Sequence, residues 1–340
     1  MANIRGWQGQ RMPTSSWKVR ISESQIEEIS SIAEYCNKES IPPEEISSIA
    51  GSCGSLKSLA CDITDRLKSG MGMVVVSGFP TAESSTLDFC EFRILCRLLG
   101  EPVGQNEIGD LYTRIEDTRS SSSRGYQSSV SLPWHVDPVD VVALLCVRPA
   151  QSGGTSRVAS SKNIAEILSI EAPEAFSLLK NPFPAIFEPP REGNLGARLP
   201  IFIQSDNGNS LCWYTRQYIN LSRILPGCRL SHRMISALDS LDEILERPGI
   251  SLDFSLEPGD IQIMNNFSVL HTRSEFAENE MAKRLLVRSW ISTSWSQQLP
   301  DNFLPFYGSV AAGSVRGGRP IARSSGRLGA KVTTPTFVNS

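Results

Sequence analysis

An imidazole and a carboxylate stand two residues apart in Leu132-Pro133-Trp134-His135-Val136-Asp137, at the head of the apolar run Val141-Val142-Ala143-Leu144-Leu145-Cys146-Val147. On an extended chain residues i and i+2 project to the same side, so His135 and Asp137 can face one centre. A second imidazole returning from elsewhere would complete two histidines and one carboxylate, the ligand set of non-haem Fe(II) oxygenases. The chain has 3 histidines, so the search is short. His232, in Leu230-Ser231-His232-Arg233, starts a helix in polar company and reads as a surface or capping residue. His271 lies after the strand pattern Ile261 to Asn266 and before the strand pattern Lys283 to Ile291. From there a ligand can return to a centre built on a β frame.

Two arginines extend this constellation. Arg284 and Arg288 are four residues apart on a strand, so they share a face with Trp290 while Leu285 and Val287 take the other. A guanidinium is a rigid fork suited to a carboxylate. An iron centre that activates dioxygen needs electrons, and 2-oxoglutarate supplies them by oxidative decarboxylation. Its keto acid end can chelate the metal, and its far carboxylate needs a fixed cation and a hydroxyl. Arg284 with Ser156 or Thr155 supplies both. Candidate substrate-wall residues are Gln105, Asn106, Tyr126, Trp134, Arg198 and Arg273, with Arg288. Their polar and cationic character points to a small molecule bearing a carboxylate, such as an amino-acid derivative or a biosynthetic intermediate.

Composition bounds the rest. A chain of 340 residues with 40% hydrophobic and 20% charged residues reads as a soluble globular protein with a sizeable core. A net charge of −3 argues against a nucleic-acid partner. No apolar run reaches the length of a membrane span, and Met1 to Trp7 lacks the apolar core of a secretory signal. The 8 cysteines include no CxxC pair and lie mostly in apolar company, as buried free thiols of a reducing cytoplasm do. A cytoplasmic enzyme is expected, with its association into homo-oligomers left open.

The positioning elements follow from periodicity. Helices are expected over 22–37, with Ser22 as N-cap and Gln25 completing a capping box, and over 56–67, 86–99 and 233–245. A shorter helix is expected over 164–169, capped by Ser161 or Asn163. Strands are expected at 73–78, 156–159, 183–187, 199–204, 211–214, 261–266 and 283–291. Residues 119–131, with Arg119-Ser120-Ser121-Ser122-Ser123-Arg124, read equally as a lid over the site or as a surface insertion. The segment from Gly313 onward, rich in Gly, Ser and Arg, is expected to be flexible or loosely packed.

Taken in order, His135-x-Asp137, the apolar strand with Gly153-Gly154, the Pro258-Gly259-Asp260 turn, Asn265-Asn266 ahead of His271, and the Arg284 to Arg288 segment resemble the taurine dioxygenase-like (TauD/TfdA) family of Fe(II)/2-oxoglutarate dioxygenases. The match runs from about Val74 to Ile291. The resemblance implies a mainly β fold with α elements, a double-stranded β-helix (a cupin-like jelly-roll) coated by helices. It implies residues 1–70 as an N-terminal helical segment packed on the core, 71–298 as the dioxygenase domain and 299–340 as a partly flexible extension. By the same resemblance His135, Asp137 and His271 are iron ligands, with 2-oxoglutarate and O2 as co-substrates. Arg284 holds the distal carboxylate of 2-oxoglutarate, assisted by Ser156, with Thr155 as the alternative one residue away. Arg288 resembles an arginine that in some members contacts an anionic substrate group. The sulfonate-binding residues of the name-giving member are not evident, so taurine is not the expected substrate. Because Asp137 is a carboxylate, hydroxylation is expected rather than halogenation, with desaturation and cyclisation as variants. Two other classes are weighed: a cupin-type metal-dependent isomerase or hydrolase, and a non-catalytic jelly-roll binding protein.

Overall fold

Three apolar runs, Met73–Ser77, Val141–Arg148 and Ile261–Asn265, lie side by side in a seven-stranded sheet. They are apolar on both faces because both faces are covered. The sheet runs Lys18–Arg20, Met73–Ser77, Ile261–Asn265, Val141–Arg148, Leu285–Ser292 and Glu101–Val103, and Tyr112–Ile115 also pairs with Leu285–Ser292. A smaller antiparallel sheet orders Leu252–Phe254, Ser156–Ser160 and Val269–Arg273. This is a computed structural model, and it describes residues 6–40, 54–81, 89–106, 108–117, 129–186, 196–204, 210–225, 227–278 and 283–318.

Alternation along the strands sorts the side chains into layers. Val74, Val76, Val141, Ala143, Leu145, Ile261 and Ile263 pack outward beneath the helices Glu23–Glu39, Gly54–Lys68 and Cys90–Leu99. Met73, Val75, Val142, Cys146, Met264, Leu286 and Trp290 pack inward, against Val158, Leu252 and Val269 of the small sheet. The outer face of the small sheet, through Ala159 and Leu270, meets the helices Ser161–Glu171, Pro173–Leu179 and His232–Leu245. The order of layers is helices, large sheet, small sheet, helices, and the two inner faces enclose the site.

Most of the expected elements form. Ser22 closes the capping box, receiving the amide of Gln25 at 3.3 Å while its own amide donates to Gln25 Oε1 at 3.0 Å. The third helix is described from Cys90, and the expected residues 86–88 lie outside the described residues. Ser160, not Ser161 or Asn163, caps the next helix, accepting from the Asn163 amide. The Pro173–Leu179 helix has no counterpart in the sequence reading. It is a single proline-initiated helix of 7 residues, too short for a clear 3.6-residue period. His271 follows the strand Ile261–Asn265 and precedes Leu285–Ser292 as expected, and is itself the centre of a further strand, Val269–Arg273. A turn at Asn266-Phe267-Ser268, braced by the Asn265 side chain on the Phe267 amide, separates this strand from Ile261–Asn265. Residues 118–128, most of the 119–131 loop, lie outside the described residues, as do 319–340. Residues 313–318 depart from the expectation of loose packing, since Arg316 is 2% exposed. A buried partner for that charge, Asp140, explains the difference. Seven cysteines are free thiols among the described residues. No described helix is long and apolar enough to cross a membrane.

Candidate active site

His135 and His271 meet through the backbone. The His135 amide donates to the His271 carbonyl and the His271 amide to the His135 carbonyl, both at 3.0 Å. This reciprocal antiparallel bridge puts both side chains on one face. Their rings lie 4.3 Å apart between centroids. Val158 is the cross-strand partner of His271 and lies in the core between the sheets, so the face is the inner one. His135 Nδ1 sits 2.8 Å from the Pro133 carbonyl. Donating its proton there leaves the Nε2 lone pair free. Two residues on, Asp137 Oδ2 lies 3.7 Å from His271 Nε2, and Asp137 Oδ1 lies 3.4 Å from Arg288 Nη1.

The electrostatics suit donors rather than protonated groups. Burial, reinforced by the neighbouring His135, brings His271 down from 6.5 to about 3, so its imidazole is neutral. Burial alone would push the Asp137 carboxyl up, but opposing charge, first that of the Arg288 guanidinium, outweighs it and holds the carboxyl below the ordinary value. Linkage gives a first prediction. The unfolded chain protonates His271 below about 6.5 while the folded chain does not, so stability falls as pH drops from there toward 3. One such group contributes a slope of up to about 1.4 kcal/mol per pH unit. Urea midpoints of the metal-free protein at pH 7.5 and 5.5 test this. His271→Gln should flatten the profile, and an unchanged profile would refute it.

Arg288 is fixed from behind. Its Nε donates to Gln105 Oε1 at 2.7 Å, and Gln105 Nε2 donates to the carbonyls of Arg288 and Leu111 at 2.8 and 3.0 Å. Gln105 is 2% exposed, and these bonds occupy both ends of its amide. It therefore braces Arg288 instead of forming a wall of its own. The Arg288 guanidinium also stacks 4.7 Å from the Trp290 ring.

Arg284 precedes the regular strand, separated from it by a register shift between Leu285 and Leu286. It is 6% exposed, and its Nη1 has no hydrogen-bond partner among the described residues. Its guanidinium lies 4.9 Å from the Phe276 ring and beside Gly154. It lines a cavity of about 210 Å³ with Cys146, Gly153, Gly154, Leu256 and Leu286. Arg273 stacks on the same Phe276 ring at 4.5 Å and donates to the carbonyls of Ser274 and Val130. Ser156 pairs with Arg273 across the small sheet. It shares the inner face with Val158, two residues along, and is buried. Thr155 precedes the strand, its amide bound to Ser274 Oγ at 3.0 Å. Alternation thus turns Ser156 inward.

Other sequence candidates are used elsewhere. Trp134 faces away from His135, as strand alternation requires; its indole donates to Glu246 at 2.7 Å and its ring packs in the outer core. Asn106 spends both ends of its amide on Asp110, at 2.7 and 3.0 Å. Arg198 is exposed and donates to the Gly227 carbonyl at 2.9 Å. His232 begins its helix and is exposed. Tyr126 lies outside the described residues.

Asn266 matters more than its motif alone suggested. Its Oδ1 accepts from the Asp137 amide at 3.1 Å, and its own amide donates to the Asp140 carbonyl at 3.0 Å. It grips the 137–140 loop at both ends and is fully buried. Its place in the turn between the 261–265 strand and the His271 strand was the available signal.

The donor set of two imidazoles and a carboxylate fits a first-row divalent metal with open positions. As the side chains stand, no group of three or more His, Cys, Asp or Glu among the described residues is gathered closely enough to hold an ion. Asp137 shares its carboxylate between Arg288 and His271 instead.

Two imidazoles and a carboxylate of this kind are the donor types used by the class of non-haem iron oxygenases. The comparisons define the class further. The family described as "Taurine catabolism dioxygenase TauD, TfdA family" matches residues 55–290, more than half of the chain. FR-33289 synthase of Streptomyces rubellomurinus is 30% identical over 316 residues, 87% of this chain and 91% of that protein. Asparagine oxygenase, solved with Fe(II), 2S,3S-3-hydroxyasparagine and succinate, superposes with a TM-score of 0.65 at 18% identity over 81% of this chain and 93% of that one. The non-heme iron oxygenase OrfP, solved with Fe and alpha-ketoglutaric acid, superposes with a TM-score of 0.61 at 15% identity over 81% and 94% of the two chains. The chain belongs to the TauD/TfdA family of Fe(II)- and 2-oxoglutarate-dependent dioxygenases. This sets aside the isomerase, hydrolase and binding-protein alternatives.

Proposed function

We propose that this dioxygenase hydroxylates an unactivated C–H bond of a small, carboxylate-bearing, amino-acid-like molecule within a double-stranded β-helix core. His135, Asp137 and His271 hold Fe(II), and Arg284 with Ser156 takes the distal carboxylate of 2-oxoglutarate. The observation that carries the reading is the reciprocal His135–His271 bridge with Asp137 3.7 Å away.

Fe(II) and 2-oxoglutarate, when bound, would supply the oxidising power for the reaction with dioxygen. The chain's own residues position and shield. The Pro133 carbonyl sets the His135 tautomer, and burial keeps His271 a neutral donor. Asp137 would hold the ion together with the two histidines, and Gln105, bonded to Arg288 Nε, keeps Arg288 in place as a cation for an anionic substrate group. The unpartnered Nη1 of Arg284 receives the far end of the co-substrate. The hydroxylated amino acids bound to asparagine oxygenase and to OrfP support an amino-acid-like substrate. Residues 71–298 are proposed as the catalytic unit; the family match spans residues 55–290.

Anaerobic titration with Fe(II) and then 2-oxoglutarate, followed by visible absorption, tests the site. A charge-transfer band requiring both components, and lost in His271→Ala and Asp137→Ala, is expected. Metal binding without the band, or a band that survives both substitutions, would overturn the assignment. Succinate release stimulated by amino acids and their derivatives then identifies the substrate.

A further inference from the structure

The loop that carries Asp137 is held by a part of the chain far beyond the 55–290 family match. Asp140 and Arg316 are each 2% exposed, and Arg316 Nε donates to Asp140 Oδ1 at 2.8 Å. Asp140 Oδ2 accepts from the Thr293 amide at 2.9 Å and lies 3.4 Å from Ser292 Oγ. Arg316 is itself tied down: its amide donates to Ser292 Oγ at 2.9 Å and Nη1 to the Gln297 carbonyl at 2.6 Å. The backbone then crosses the loop directly. The Gly318 amide donates to the Pro138 carbonyl at 3.0 Å, and the Gly317 amide to the Tyr307 carbonyl at 2.8 Å. A Cβ on Gly317 would stand 2.6 Å from the Pro138 carbonyl oxygen and 2.9 Å from Val139 Cα. With a φ of +80° there, the position also disfavours any other residue.

The 137–140 loop is therefore clamped on two sides. Asn266 holds the Asp137 amide and the Asp140 carbonyl from within the core. The 316–318 segment holds the Asp140 carboxylate and the Pro138 carbonyl from the other side. Asp140 also joins the loop to Ser292 and Thr293, at the end of the strand that presents Arg288. A buried charge pair with these further bonds is costly to break and holds one geometry. Groups that orient metal ligands from behind affect metal affinity without touching the ion.

We infer that residues 316–318 form a strap whose Arg316–Asp140 pair positions Asp137 for metal binding, making Arg316 a positioning residue of the dioxygenase site. The inference rests on Asp137 being a metal ligand. Its test reads metal affinity, by Co(II) absorption titration of the metal-free protein, alongside thermal unfolding. Arg316→Ala and Gly317→Ala should each weaken Co(II) binding by about tenfold or more. Arg316→Lys should restore part of that loss. Ile29→Val, a core truncation in the Glu23–Glu39 helix where it packs on the helices Gly54–Lys68 and Cys90–Leu99, should leave Co(II) affinity unchanged and so separates positioning from general stability. Should Arg316→Ala not fold, Gly317→Ala decides, because it keeps both charged side chains but shifts the backbone that sets the pair against the loop. Native Co(II) affinity in Gly317→Ala and in folded Arg316→Ala would overturn the inference, whatever their melting temperatures. Native affinity in Asp137→Ala would overturn the ligand assignment beneath it, and is a distinct result.

Discussion

Arg284→Met is expected to abolish tight 2-oxoglutarate binding while leaving the metal-free fold at least as stable as before. The two effects have one cause. Burial makes the charged guanidinium unfavourable and lowers its pKa, and Nη1 has no partner among the described residues to offset this. Removing a buried cation whose Nη1 has no hydrogen-bond partner among the described residues costs the empty protein little. The bound co-substrate would lose a charge-assisted fork, worth about 2–5 kcal/mol when one partner is truncated. That is about 30-fold or more in affinity, since each 1.4 kcal/mol is tenfold. Arg284→Lys keeps a point charge without the fork and should fall between the two. The measurements are the 2-oxoglutarate dependence of the charge-transfer band and the urea midpoint of the metal-free protein. Unchanged co-substrate affinity would remove Arg284 from the site.

Arg288→Met should have the opposite profile, destabilising the metal-free protein more than the metal-loaded one. In the metal-free fold Arg288 is a close cation to the buried Asp137 carboxylate, 3.4 Å away. Stranding that carboxylate costs about 3 kcal/mol or more. Gln105 loses its own partner in the same step, so Gln105→Leu added to Arg288→Met should cost far less than it does alone. A divalent ion bound by Asp137 would replace the missing positive charge and narrow the difference. Unfolding curves with and without Co(II) decide the matter. Equal losses in both states would show that the guanidinium acts as packing and not as the counter-charge of the ligand carboxylate. In the loaded enzyme the same variant should raise KM for an anionic substrate more than it lowers kcat.

Local chemistry wrote much of this protein into short stretches of its sequence. His-x-Asp at the mouth of an apolar run marked two neighbouring candidate donors, because a period of 2 is intrinsic to an extended chain. The scarcity of histidine left His271 as the natural third. The capping box of Ser22 and Gln25 and the buried runs at 73–77 and 261–265 formed as their patterns predict. The inward turn of Ser156 also follows from alternation, once the start of the strand is known.

Pairing in space decided the rest, since no local rule states which strands lie opposite. The bridge between His135 and His271 joins residues 136 positions apart and makes one face of them. Trp134 turned to the outer core because its neighbour His135 turned in. Asn106 and Arg198 found partners in Asp110 and the Gly227 carbonyl that left them no part in the site. Asp140 showed only as an acid beside an apolar strand, and Arg316 as a basic residue in a glycine-rich tail. A buried charge needs a counter-charge, and the chain met that need across 176 positions. Sequence therefore determined which groups could do the chemistry. Tertiary structure alone decided which of them share a desolvated interior, because burial and long-range pairing are properties of the packed chain and not of any window along it.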